Sequence, residues 1–152
     1  GARVQATLWS GKQQFLTTPG FVRDEKAVLR VLTGYFGGGT AFPIHILRDT
    51  TAARTKRDKP VHVLVISDDG VTTMFDTDER GNSGWDVARQ ALTAGRAGGT
   101  LVLNYRHWAK DANLQRAQRE GWAIHSIGDW SELIAFAREF SRRKYGGGKR
   151  EE

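Results

Sequence analysis

The chain has 152 residues, enough for one hydrophobic core built on a sheet with helices over it. It contains no cysteine, which excludes disulfides, thiolate metal sites and cysteine nucleophiles, and no apolar run approaches the roughly 20 residues that span a bilayer. Lys and Arg number 23 against 17 Asp and Glu; the net charge of +6 is spread along the chain, with one modest cluster in "SRRKYGGGKREE", which fits solubility better than a nucleic-acid stripe.

The N-terminus "GARVQATLWSG" lacks the charged and apolar regions of a signal peptide. It begins at Gly1 and enters strand-like sequence almost at once, which reads as a piece of a longer protein. In "RVQATLWSG" apolar and polar side chains alternate, with Val4, Ala6 and Leu8 on one face; together with "KQQFLTTPGFV" it predicts a β-hairpin. "RDEKAVLRVLTGYF" predicts a helix capped by Asp24, with Val28, Leu29, Leu32 and Tyr35 or Phe36 at helical spacing, ended by Gly37, Gly38 and Gly39. "AFPIHILRDTTAARTKRD" predicts a second helix with Pro43 in its first turn, where a missing N–H does no harm.

"PVHVLVISDDG" is an almost continuous apolar run of strand length, which implies cover on both faces. "GNSGWDVARQALTAGRAGG" puts Val87, Ala88, Ala91 and Leu92 on one helical face, and "TLVLNYR" is a second buried strand. "KDANLQRAQREG" is a helix, "WAIHSIG" a strand, and "DWSELIAFAREFSRRKYGGG" a last amphipathic helix with Leu133, Phe136, Ala137 and Phe140 inward. Strict alternation from residue 60 onward predicts an α/β fold with a largely parallel sheet.

Ligands of such sheets bind beyond the carboxyl ends of the strands. Ser67, Asp68 and Asp69 stand at one such end and Asn104 at another. A turn or cap accounts for one Asp before Gly70 but less readily for two. In haloacid-dehalogenase-like phosphatases the strand would end in Asp-x-Asp-Gly-Thr, and here the nucleophile position holds Ser67. A response-regulator receiver would need a phospho-accepting Asp where Asn104 stands. A phosphate-binding P-loop would need a Lys that "GGGTAFP" lacks. What remains is a hard cation such as Mg²⁺ held by oxygen ligands, and attention passes to "YFGGGTAFP", whose glycines let the backbone approach a neighbouring loop. A helix C-cap, a joint and an N-cap Thr explain the same residues without a ligand.

Taken together the residues resemble the von Willebrand factor A domains, in their bacterial intracellular branch. The matching stretches are "ATLWSG", "FGGGTAF", "VHVLVISDDG", "TLVLNY" and "WAIHSIG" with "DWSELIAFAREF", in the family's order over nearly the whole chain. The resemblance implies a three-layer Rossmann-like fold over residues 1–146, a mostly parallel central sheet with helices on both faces, and a flexible tail at 147–152. It implies a non-enzymatic, cytoplasmic protein-interaction module that binds its partner through Mg²⁺ or Mn²⁺ at a metal-ion-dependent adhesion site. Thr40 would be the hydroxyl ligand and Asp68 the carboxylate, with Asp69 in reserve. Gly39, Asp69, Thr72, Thr73 and the "DTDERGNSGW" loop would shape the rim. AAA+ ATPases of the MoxR kind are the partners the resemblance suggests.

The family's first strand with its Asp-x-Ser-x-Ser motif is missing from these residues. Metal binding by this chain is therefore expected to be weak or absent, and the sheet to carry a gap at about 1–3 kcal/mol per unsatisfied backbone group. An upstream segment, direct closure of the flanking strands or strand exchange between molecules would relieve it. An enzymatic alternative, a hydrolase or phosphotransferase, would use Asp68, Asp69 and one of His45, His62, His107 and His125. No pair has a recognisable nucleophile–base spacing. A nucleic-acid reading would rest on Arg142, Arg143, Lys144 and Lys149 with scattered tryptophans, cations that also suit a helix C-terminus.

Overall fold

The computed structural model describes residues 3–11, 14–34, 41–68, 71–77, 81 and 83–143. The fold is α/β, with five helices, a three-stranded parallel sheet and a two-stranded antiparallel one among the described residues. The chain divides into two compact units, Gly1–Val63 with Val71–Gly99, and Leu64–Gly70 with Thr100–Glu152.

The first unit opens with the expected hairpin. β1 (Thr7–Gly11) pairs antiparallel with β2 (Gln14–Thr17), Leu8 opposite Leu16 and Trp9 opposite Phe15, and a Val4–Val22 bridge extends the ladder. Thr18 is buried but satisfied: its hydroxyl accepts the Ala6 N–H at 3.1 Å and donates to the Gly20 carbonyl at 2.8 Å. Helix α1 (Glu25–Leu32) starts at Asp24, whose carboxylate accepts the Lys26 N–H at 2.9 Å. It stops before the predicted glycines, and residues 35–40 lie outside the described part. The face it buries also differs from the one read off the spacing. Val31 is buried, while Leu29 and Leu32 are 50% and 52% exposed.

Helix α2 (Ile44–Ala52) is preceded by Pro43, which stands one position outside the helix rather than within its first turn. Helix α3 (Gly84–Gly95) carries Val87, Ala88 and Ala91 inward as its periodicity requires, and packs on α2 and on a short 3₁₀ turn, Thr72–Phe75. Gly84 lies so close to the Met74–Phe75 backbone that a Cβ has no room. At its other end α3 passes directly into a strand, because Arg96 adopts a left-handed φ of 64°. Residues 96–99, read in sequence as a helix tail, are strand instead.

The strands of the parallel sheet are β3 (Val61–Ser67), β4 (Arg96–Leu103) and β5 (Trp122–Ser126), in that order. In the second unit their ends surround a core of Val65, Leu101, Val102, Leu103 and Trp122, with Leu114 and Ala117 from α4 (Ala112–Arg119) and Phe136 from α5 (Trp130–Ser141). Each fully buried Leu or Val removes apolar surface worth about 1.5–3 kcal/mol. Both helices are capped by aspartates: Asp111 accepts from Asn113 and Leu114, and Asp129 from the Glu132 N–H at 3.0 Å and the Ser131 hydroxyl at 2.6 Å.

Two inward assignments change. Ala137 on α5 is exposed, although Phe136 is buried and Leu133 and Phe140 are half-buried. β3 is not covered on both faces: Val65 is 4% exposed, but Leu64 and Ile66 are 39% and 45% exposed. The two sheets share no ladder among the described residues, so the direct pairing of β1 with β3 that the resemblance allowed is not seen there.

Candidate functional site

In the second unit the carboxyl edge of the parallel sheet is where the sequence placed it. Ser67 ends β3, and its carbonyl accepts the Asn104 N–H at 3.1 Å, which ties the ends of β3 and β4 together. Asp68 follows Ser67 directly and is exposed. The side chains that Ser67, Asp68 and Asn104 bring to this edge carry a hydroxyl, a carboxylate and an amide. All offer hard oxygen, the donor type that Mg²⁺ and Mn²⁺ take, and none is a thiol or imidazole. Asp69 lies outside the described residues. Among the described residues no three His, Asp or Glu side chains converge as a metal-holding group.

In the first unit the other candidate loop is tied down at its far end. Thr40 and Gly39 lie outside the described residues, but Phe42, two positions on, donates its N–H to the Thr73 hydroxyl at 2.9 Å. Thr73 thus has a positioning contact of its own, in addition to the rim position expected for it. The backbone of Thr72 begins the 3₁₀ turn, and its side chain lies outside the described part. Spacing along the chain gave no sign of the bond between Phe42 and Thr73, which are 31 residues apart.

Val71, just before that turn, is 5% exposed and sits at φ 46°, ψ 34°. A β-branched residue in the left-handed region costs on the order of 1–3 kcal/mol, so packing around Val71 must hold it there. Trp85 stacks on Phe75 at 4.0 Å with the planes 12° apart, and Trp9 meets Phe42 edge-on at 5.1 Å. Sequence pattern alone did not single out Val71; its place after Gly70 was the available signal.

The histidines are engaged in packing. His45 is edge-on to Phe15, His125 tilts over Phe136, His107 lies edge-on to Tyr105, and His62 Nδ1 is 3.0 Å from the Ala97 carbonyl. Arg142 and Arg143 are paired with Glu139 at 2.7 and 3.7 Å, while Lys144 and Lys149 lie outside the described residues. Trp122 is buried, and the side chain of Trp130 lies outside the described part. A cleft of 450 Å³ in the first unit is lined by Gln5, Phe21, Thr50, Arg54 and Asp58 among others. Gln5 donates to Thr50 at 2.9 Å, and Arg54 donates to the Ala94 and Lys59 carbonyls.

Among the described residues three carboxylates lie below their ordinary range, and each has a local structural cause. The Thr55 N–H holds Asp58 down, the Ser131 hydroxyl and Glu132 N–H hold Asp129 down, and the Arg142 guanidinium holds Glu139 down.

Comparison of the chain with family models, with curated proteins and with solved structures finds no match.

Proposed function

We propose that the chain is the C-terminal part of a von Willebrand factor A-like module, which binds a protein partner through a divalent cation at the carboxyl edge of its parallel sheet. Asp68 supplies the carboxylate ligand, Asp69 is its reserve, and Thr40 supplies a hydroxyl. Gly39, Asp69, Thr72 and Thr73 border the partner. Mg²⁺ or Mn²⁺ suits these oxygen donors; the site is incomplete in these residues, the ligands of the Asp-x-Ser-x-Ser strand belong to the full domain, and an acidic side chain of an AAA+ ATPase of the MoxR kind enters the open coordination position.

The observation that carries the reading is the position of Asp68: exposed, directly after the last residue of β3, beside a β4 end fixed by the Ser67–Asn104 bond. Ligands of parallel α/β sheets bind at this edge, where loops rather than strands supply the side chains. The separation of hairpin and parallel sheet into two ladders also supports it, because a sheet without its central strand is left in two such pieces.

Residue-resolved NMR with Mn²⁺ tests the cation directly, since paramagnetic broadening registers even weak occupancy. The reading expects broadening centred on Ser67, Asp68 and Asn104, relieved by excess Mg²⁺ and lost in Asp68→Ala with the fold intact. Equal broadening in Asp68→Ala would remove its basis.

A further inference from the structure

The 450 Å³ cleft of the first unit falls within the roughly 300–1,000 Å³ of small-ligand sites. The bonds within it leave its polar wall rich in acceptors. Gln5 donates its amide N–H to the Thr50 hydroxyl at 2.9 Å, and its Oε1 accepts nothing from the described residues. One oxygen of Asp49 takes the Arg48 guanidinium at 3.1 Å and the other is left without a hydrogen bond among those residues. Arg54, the cation of the cleft, turns its donors to the Ala94 and Lys59 carbonyls. Phe21 also lines the cleft and meets no other ring among the described residues, whereas Trp9, Phe15, Phe42, Phe75 and Trp85 of the same unit each do.

The border of the cleft has the opposite charge. Arg54 and Asp58 belong to the loop 54–59, "RTKRDK", whose Lys56, Arg57 and Lys59 are exposed and form no ion pair with the described residues. Exposed Arg96 joins them, since its guanidinium donates to the Asp58 carbonyl. The loop is held in one shape by the Thr55 N–H on the Asp58 carboxylate at 2.6 Å, the Asp58 N–H on the Thr55 carbonyl at 3.1 Å and Arg54 on the Lys59 carbonyl at 2.7 Å. Its cations are therefore gathered before any ligand arrives.

We propose that this cleft binds a free nucleotide, with the base on the Phe21 ring, its amine and the ribose hydroxyls on Gln5 and Asp49, and the phosphates on Lys56, Arg57, Lys59 and Arg96. Each part of the site excludes a competitor. A bare polyphosphate has no donor for the acceptor-rich wall and meets Asp49 and Asp58 as like charges. A nucleoside leaves the cations of the loop without an anion. A sugar phosphate has no flat ring to set against Phe21. A nucleic-acid strand is held by a basic groove that tracks its backbone, whereas these cations are gathered on one six-residue loop and the residue bonded to it. This inference does not depend on the cation reading at the sheet edge.

The test is a residue-resolved NMR titration of the labelled chain with ATP, adenosine and inorganic tripolyphosphate, in chelator so that no metal bridges the phosphates. ATP is expected to move the amides of Gln5, Phe21 and Thr50 together with those of the loop, and adenosine the first group alone. ATP should bind several-fold more tightly than tripolyphosphate, although tripolyphosphate carries the larger charge. Phe21→Leu, which keeps an apolar side chain, should abolish that preference. Lys56→Glu combined with Arg57→Glu, both at exposed positions, should weaken both ligands and leave the circular dichroism spectrum unchanged. No shift at millimolar ATP, shifts confined to the loop, or tripolyphosphate bound as tightly as ATP would overturn the proposal. So would a preference that survives Phe21→Leu, or a short single-stranded oligonucleotide bound more tightly than ATP.

Discussion

The Phe42 N–H donates to the Thr73 hydroxyl at 2.9 Å, so the segment that follows Thr40 is fastened to the turn that follows β3. Phe42 is 7% exposed and its ring meets Trp9, which leaves its backbone N–H little access to water. Thr73→Val keeps the shape of the side chain and removes the acceptor. The expected loss is about 1–3 kcal/mol in urea unfolding, with Thr73→Ser close to the parent chain. Equal stability of Thr73→Val and Thr73→Ser would show that the bond does not hold the segment.

Gly84 gives a prediction opposite in sign to helix propensity. Alanine in place of a helical glycine ordinarily stabilises by about 1 kcal/mol, but at Gly84 the added Cβ runs into the Met74–Phe75 backbone. Gly84→Ala should destabilise by about 1–3 kcal/mol as the first turn of α3 is pushed off the 3₁₀ turn. The Trp85 fluorescence should change with it, because the Phe75–Trp85 stack spans the same contact.

The buried face of α1 can be tested by a pair of truncations. Val31→Ala should cost roughly 2 kcal/mol, whereas Leu29→Ala, at a half-exposed position, should cost about 0.5 kcal/mol or less. The opposite order would restore the face read from spacing alone.

Acid should weaken the start of α5. The Ser131 hydroxyl and the Glu132 N–H favour ionised Asp129, so its folded pKa lies below the ordinary 3.8. Its stabilising contribution is therefore complete above that value and is lost as pH falls through the lower, folded one. Protection of the Ser131–Leu133 amides, taken relative to their intrinsic exchange rates, should fall below about pH 4, while Asp129→Asn, which keeps an acceptor without the titration, should show no such fall there.

Much of the fold could be read from local chemistry. Asp24 caps the helix it precedes, as read from the sequence, Asp111 and Asp129 do the same by the chemistry of that residue type at a helix start, and Val87, Ala88 and Ala91 bury the face that their spacing defines. These are short-range signals, set within one or two turns of chain. The features that escaped depend on distant partners. β4 begins at Arg96, within a glycine-rich stretch of poor strand propensity, where Gly95 lies against the Val61 carbonyl and the Ala97 carbonyl meets His62. The apolar run of β3 specified a strand correctly but not its cover, because hydrophobicity records that a segment can be buried and not which neighbour covers it. Leu64 and Ile66 show the difference.

At the candidate site, Asp68 and Asn104 were legible as strand ends, since a buried apolar run that stops at polar residues marks its own terminus. The Phe42–Thr73 bond and the left-handed Val71 were not, because both arise from loops meeting through tertiary packing. Thr40, Gly39 and Asp69 lie outside the described residues.

The most direct test of the cation site is a Mn²⁺ titration of the isotope-labelled chain, beside Asp68→Ala and Asp68→Asn. The account predicts broadening that begins at Ser67, Asp68 and Asn104, is displaced by Mg²⁺ and disappears in both variants. Broadening confined to other exposed carboxylates such as Asp49 and Asp86, with the end of β3 untouched, would contradict it.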